Sequence, residues 1–108
     1  MQKAAISKEL DIIIKTILEN VSAEGIYLFG SYAYGTPRED SDIDIYLVIP
    51  DNDSDVIELN AEIRYALYKK LGLPLDLLIA KKSIFERRRR GLTLENVIIQ
   101  QGVCIYGN

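Results

Sequence analysis

Gly30-Ser31-Tyr32-Ala33-Tyr34-Gly35-Thr36-Pro37-Arg38-Glu39-Asp40-Ser41-Asp42-Ile43-Asp44 is the stretch that decides how this chain is read. It opens with a Gly-Ser turn directly after the apolar run Ile26-Tyr27-Leu28-Phe29. It closes on two aspartates, one residue apart, at the head of a second apolar run that reaches Ile49. Glycine lets a backbone approach a phosphate without a Cβ in the way. A serine hydroxyl and the N–H groups at the start of a helical turn can donate to phosphate oxygens. Aspartates at i and i+2 of a strand project from one face and can share divalent cations. The combination points to nucleotide chemistry assisted by metals.

Working outward, the run Asp42 to Ile49 reads as a strand with Asp42, Asp44, Tyr46 and Val48 on one face. Ile43, Ile45, Leu47 and Ile49 lie on the other, which is the core face. Upstream, Leu10, Ile13, Ile14, Ile17, Leu18 and Val21 form one stripe of an amphipathic helix from residue 7 to about 21, with Ser7 as its candidate N-cap. Residues 26 to 29 form a short strand, and a single helical turn follows the Gly-Ser pair. Downstream, Asp55 to Leu71 reads as a second long helix, with Asp55 and Glu58 as a capping pair and Gly72 as its stop. Leu75 to Ala80 is a third strand. Ser83 and Glu86 suggest a capping box for a short helix. Thr93 to Gln101 is a last helix closed by Gly102, and Val103 to Tyr106 a terminal strand. The alternation argues an α/β (α+β) two-layer domain over residues 1–108 as one unit. Strands 43–49 and 75–80 are apolar at nearly every position, so both their faces are expected to be covered.

The exceptions to that pattern are Asp42, Asp44 and Asp76. Aspartate is a poor strand former and is rarely buried unpaired. Crowded carboxylates raise one another's pKa, and a divalent cation removes that cost. The arrangement suggests Mg²⁺ or Mn²⁺ held by Asp42 and Asp44, with Asp76 on a neighbouring strand completing the site. The bland alternative is that each aspartate is a turn residue or a helix cap. With no histidine and only Cys104, zinc sites and histidine-based triads are excluded within the chain. Any metal must be a hard cation bound by oxygen.

Composition narrows the classes further. The net charge of -3 offers no diffuse basic field for nucleic acid. No signal-peptide pattern is present, and no apolar run approaches the ~18–20 residues of a membrane span. Cys104 lies in an apolar run and is expected to be a buried thiol in a reducing cytoplasm. Arg87 to Arg90 are four consecutive arginines. On a helix they point in nearly all directions, so a solvated helix is favoured over a nucleic-acid stripe. Tyr32, Tyr34, Tyr46, Tyr65 and Tyr68 read as packing residues, with Tyr32 and Tyr34 singled out by their place in the loop.

Gly30-Ser31, ten residues, then Asp42-Ile43-Asp44 resembles the signature of the DNA polymerase β-like nucleotidyltransferase superfamily. The small size is similar to that of its minimal nucleotidyltransferase (MNT) proteins. The resemblance implies a nucleotidyltransferase fold with a short mixed β-sheet flanked by helices, ATP or another nucleoside triphosphate as substrate, and two Mg²⁺ ions, with Mn²⁺ as a substitute. It implies that Gly30, Ser31, Gly35 and Ser41 bind the nucleotide, and that Asp42 and Asp44 bind the metals. Asp76 would be the third carboxylate, which binds the catalytic metal and helps to deprotonate the acceptor. One residue departs from the pattern: many relatives carry a basic residue before the second glycine of the loop, where this chain has Tyr34. Arg38 or a lysine of Lys81-Lys82 would have to supply that charge. The elements above use almost every residue for one core, so the acceptor site is expected to be completed by another chain. The resemblance names a HEPN-domain toxin, one of whose tyrosines would be adenylylated. Two alternatives are a non-catalytic antitoxin that neutralises its partner by contact, and a small-molecule adenylyltransferase, for which the chain shows no acceptor pocket.

Overall fold

The computed structural model describes residues 6–38 and 41–107. Nine elements follow one another: α1 (Ser7–Asn20), β1 (Gly25–Phe29), α2 (Ser31–Tyr34), β2 (Ile43–Ile49), α3 (Val56–Leu67), β3 (Leu75–Lys81), α4 (Lys82–Arg88), α5 (Leu94–Gln101) and β4 (Val103–Gly107). The four strands form one sheet in the order β3-β2-β1-β4. β1 runs antiparallel to both β2 and β4, while β2 and β3 are parallel and are joined through α3. A parallel pair needs such a crossover, which fixes why a helix must follow β2. The sheet is therefore mixed, as the resemblance implies.

The period of two in β2 sorts its side chains onto two cores. Ile43, Ile45, Leu47 and Ile49 are fully buried with Ile26 and Leu28 under α1 and α3, which contribute Leu10, Ile13, Ile17, Leu59, Ile63 and Leu67. On the opposite face Tyr46 and Val48 join Tyr27 and Phe29 beneath Phe85 of α4 and Ile98 of α5. The Phe85 ring stacks on Tyr27 at a centroid separation of 5.7 Å and tilts against Tyr46 at 5.3 Å. Each fully buried aliphatic side chain of the larger core contributes about 1.5–3 kcal/mol. β2 thus has one face wholly apolar and the other apolar only from Tyr46 onward, which leaves Asp44 at the open end.

Several local expectations are corrected. Ser7 does not cap α1: Ile6 holds the cap position, with no side-chain hydrogen bond. α3 ends at Leu67, not Leu71. Its last turn tightens, with Tyr68 N–H donating to Tyr65 O and Lys70 N–H to Leu67 O, before Gly72 is reached. The Ser83–Glu86 capping box is absent. α4 begins at Lys82, and the Ser83 N–H instead donates to Asp51 Oδ1 at 3.0 Å. β3 is an edge strand, so only Leu77 along it is buried, and the expectation that both its faces are covered fails. Tyr65 and Tyr68 are not packing residues: they stand on the outer side of α3 and are 85 % and 78 % exposed. Cys104, on the edge strand β4, is exposed rather than buried. Asp55 caps α3 as read, accepting from the N–H groups of Ile57 and Glu58; Thr93, read as the first residue of the last helix, is its N-cap and accepts from the N–H of Asn96.

Candidate functional site

The site is assembled at the end of the sheet where β1 finishes and β2 begins. Phe29, the last residue of β1, is the register partner of Asp44. The chain then turns at Gly30, whose φ of 73° lies in the left-handed region that side chains disfavour. A Cβ there would run into the Asp44 carboxyl group. Gly30 is thus required twice, by its own conformation and by the closeness of Asp44. The turn continues as α2, in which Ala33 and Tyr34 N–H both donate to Gly30 O, and Gly35 N–H donates to Ser31 O. Tyr32 and Ala33 are buried in the larger core and anchor the turn, which begins at Ser31 directly after Gly30. Gly35 closes the loop where a Cβ would stand 2.8 Å from Ser31 Cα.

Asp44 and Asp76 are register partners on parallel strands. Their carboxyl groups lie close enough to interact, and the Asp44 pKa is raised from 3.8 to about 6. Burial is the largest cause, followed by the charge of Asp76 and then that of Asp42. Asp42 precedes β2, is exposed, and acts on Asp44 through its charge. Asp76 also meets Arg64 of α3, whose Nη2 stands 3.8 Å from Oδ1. Among the described residues, no three acidic side chains already stand as a cluster able to hold a cation. The sequence-read trio is therefore brought to one end of the sheet as a register pair with a third charge that acts on Asp44.

The remaining sequence candidates fall as follows. Ser41 closes the preceding loop: its Oγ accepts from Arg38 N–H at 2.7 Å, and its own N–H donates to Arg38 O. Tyr34 is 43 % exposed, whereas Tyr32 belongs to the core. Lys81 pairs with Ile49 at the opposite end of β2. Five residue steps along β3 carry that position about 17 Å from Asp76. The lysines are thus not placed to supply charge at the site. Of the four consecutive arginines, Arg88 and Arg89 are engaged by Glu95 and Glu86, and Arg87 and Arg90 are not in one stripe with them.

Beneath the open face lies a network that the sequence reading did not single out. Tyr46, two residues from Asp44 on the same face, donates its hydroxyl proton to Glu95 Oε2 at 2.8 Å. Arg88 Nε lies 3.1 Å from Glu95 Oε1 as an ion pair. Burial alone would raise the Glu95 pKa, but the Tyr46 hydroxyl and the Arg88 guanidinium outweigh it and hold the carboxylate below its ordinary range. Burial and the same hydrogen bond push the Tyr46 phenol well up, so it remains a donor. The signal available in the sequence was Glu95 three residues from the apolar Ile98, on the side of α5 that packs.

Comparison with known proteins follows this geometry. The pattern of the family described as "Nucleotidyltransferase domain" matches residues 10–100. A Methanocaldococcus jannaschii protein named "Putative protein adenylyltransferase MJ1379" is 41 % identical over 70 residues, covering 65 % of this chain and 69 % of that protein. Two solved structures align with this fold. One is described as a toxin-antitoxin with AMP-PNP (28 % identity, TM-score 0.58, covering 91 % of this chain and 73 % of that one). The other is a tri-AMPylated Shewanella oneidensis HEPN toxin in complex with an MNT antitoxin (25 % identity, TM-score 0.50, covering 100 % of this chain and 74 % of that one). Among the described residues no helix is long and apolar enough to cross a membrane.

Proposed function

Because the chain belongs to the nucleotidyltransferase domain family, and within it to the minimal (MNT) nucleotidyltransferases, we propose that it transfers the adenylyl group of ATP to a hydroxyl of a protein partner. The partner class is a HEPN-type toxin, the acceptor a tyrosine on it, and the chain its antitoxin. The relative named as an adenylyltransferase and the AMPylated toxin complex support this reading. The observation that carries it is the contact of Asp44 with Asp76 beside the Gly30–Ser31 turn.

The donor set at this end of the sheet is carboxylate oxygen alone, and the raised Asp44 pKa marks a place where a cation would relieve crowding. Asp42, Asp44 and Asp76 would hold a pair of Mg²⁺ ions, with Mn²⁺ as a substitute. When bound, such cations supply positive charge to the reacting phosphoryl oxygens. The chain's own residues do the rest. The backbone at Gly30 leaves room for the triphosphate, and the Ser31 hydroxyl and the N–H groups at the start of α2 donate to it. Gly35 holds the loop closed, and Ser41 fixes the segment that leads into Asp42. Asp76 takes the proton of the acceptor hydroxyl as its oxygen attacks the α-phosphorus. A bond forms between that oxygen and phosphorus, the bond to the β-phosphate oxygen breaks, and pyrophosphate leaves. Orientation of the two reactants contributes much of the rate in such a site.

The test is intact-mass analysis of the partner after co-expression. Adenylylated partner is expected with the native chain. Unmodified partner is expected with Asp42→Asn/Asp44→Asn. Neutralisation of the toxin without modification in either case would instead assign a contact-only antitoxin.

A further inference from the structure

Arg64 lies outside every role given above, yet among the described residues its guanidinium makes three hydrogen bonds and an ion pair. It sits on α3 and reaches over the free edge of β3. Its Nη1 donates to Leu75 O at 3.0 Å and its Nη2 to Leu77 O at 3.3 Å. Its Nε donates to Asn60 Oδ1 at 2.6 Å, and Asn60 Nδ2 donates in turn to Leu77 O at 2.8 Å. Leu75 and Leu77 flank Asp76, so the guanidinium is fixed against the two carbonyls on either side of it. In that position its Nη2 is 3.8 Å from Asp76 Oδ1. An arginine held this way loses little further freedom by pairing with a carboxylate, because its planar fork is already oriented.

Two consequences follow from the geometry. Edge strands expose unpaired carbonyls, and here two of them are covered by Arg64 and Asn60, which holds the segment bearing Asp76 in one position. The second consequence is electrostatic. Asp76 has Asp44 on one side and a fixed positive charge on the other. Arg64 neutralises part of the carboxylate charge that a cation would otherwise meet alone.

We propose that Arg64 is a positioning residue for Asp76 and its resident counter-ion, holding the third carboxylate at the strand edge and lowering the affinity of the carboxylate site for divalent cations. This rests on the proposed metal-carboxylate reading of Asp42, Asp44 and Asp76. The clamp on β3 keeps Asp76 in register with Asp44. The two parts are separable. Charge belongs equally to arginine and lysine, whereas only arginine can span both carbonyls.

The experiment is Mn²⁺ binding to the isolated chain, followed by electron paramagnetic resonance of free Mn²⁺, for the native protein, Arg64→Gln and Arg64→Lys. Asp42→Asn/Asp44→Asn serves as the control for the site itself. Loss of native Mn²⁺ binding in the control establishes the site, and binding unchanged in it would overturn the metal reading on which the proposal stands. With the site established, Arg64→Gln is expected to bind Mn²⁺ at least about threefold more tightly, the effect of removing one unit charge a few ångströms away in a solvated setting. Arg64→Lys is expected to bind as the native protein does. In the transfer reaction Arg64→Lys is expected to lose kcat with the KM for ATP unchanged, because Asp76 is no longer clamped. Equal or weaker Mn²⁺ binding in Arg64→Gln overturns the counter-ion role, and native kcat in Arg64→Lys overturns the positioning role. Should Arg64→Gln not fold, Arg64→Met, which keeps an unbranched stem along the strand edge, gives the same reading.

Discussion

Asp44 and Asp76 face each other as register partners on two parallel strands, close enough for the charge of Asp76 to raise the Asp44 pKa. The pair sets two like charges side by side on a face that is otherwise apolar from Tyr46 onward. A fold that keeps this arrangement at the mouth of a Gly-Ser turn is storing a preference for positive charge at that point.

The first prediction concerns pH. The Asp44 pKa is raised in the fold, from 3.8 to about 6. The folded state then binds more protons than the unfolded state between those values, so stability falls as pH rises through that window. In EDTA the melting temperature is expected to decline from pH 4 to pH 6 on this account, and Asp44→Asn to lessen the decline. Glu95 works in the opposite sense: its pKa is lowered, so its contribution is present above its ordinary value and is lost as pH falls below it. Melting curves of Asp44→Asn and Glu95→Gln across pH 3 to 7, bounds set by ~pH units around the two reference values, separate the two effects.

A methyl group at Gly30 is expected to be costly. The φ of 73° strains any side chain, and the new Cβ would displace the Asp44 carboxyl. Gly30→Ala should lose about 1–3 kcal/mol of stability. It should also abolish nucleotide-dependent stabilisation, because both halves of the site move. Urea unfolding with and without Mg²⁺ and AMP-PNP measures both. A variant with native stability and native ligand response would contradict the close packing described for this turn.

Glu95 ties α5 and Arg88 to Tyr46. Glu95→Ala leaves a buried phenol without its acceptor and a guanidinium without its partner, and is expected to cost about 1–3 kcal/mol. Tyr46→Phe removes one hydrogen bond and is expected to cost about 1 kcal/mol. Chemical denaturation of the two variants and their double mutant should show strong non-additivity, since the groups form one network.

Cys104 supplies a simple check of the edge assignment of β4. Its thiol is exposed, with Tyr106 O 3.3 Å from Sγ. It is expected to react with a thiol reagent in the native protein at a rate close to that in the unfolded chain. Protection by a large factor would place β4 deeper than described.

Where the sequence was read correctly, a strong periodicity or a chemical oddity carried the reading. The alternation in Ile43–Ile49 marks both faces of β2, and the misplaced aspartates mark its open end. Asp76 is recognisable as an interruption, and the parallel register with Asp44 follows once a helix joins the two strands. The misreadings share a different cause. Cys104, Tyr65 and Tyr68 look apolar in sequence, but their burial depends on which strand is at the edge and which side of α3 is covered. Neither is encoded in local spacing. Ser7 and Ser83 have capping chemistry, yet backbone geometry set each helix start one residue earlier than expected, or more. The hydrogen bonds of Arg64 to Leu75 and of Tyr46 to Glu95 join residues 11 and 49 positions apart, beyond any window of local pattern.

The central claim is that the carboxylate end of this sheet moves an adenylyl group. Its most direct measurement is parallel incubation of chain, Mg²⁺ and partner protein with ATP labelled at either the α- or the γ-phosphate. Label from the α-phosphate is expected on a partner tyrosine, with none from the γ-phosphate, and loss of the signal in Asp42→Asn/Asp44→Asn. Incorporation of γ-label, or α-labelling that persists in the double variant, would contradict the account.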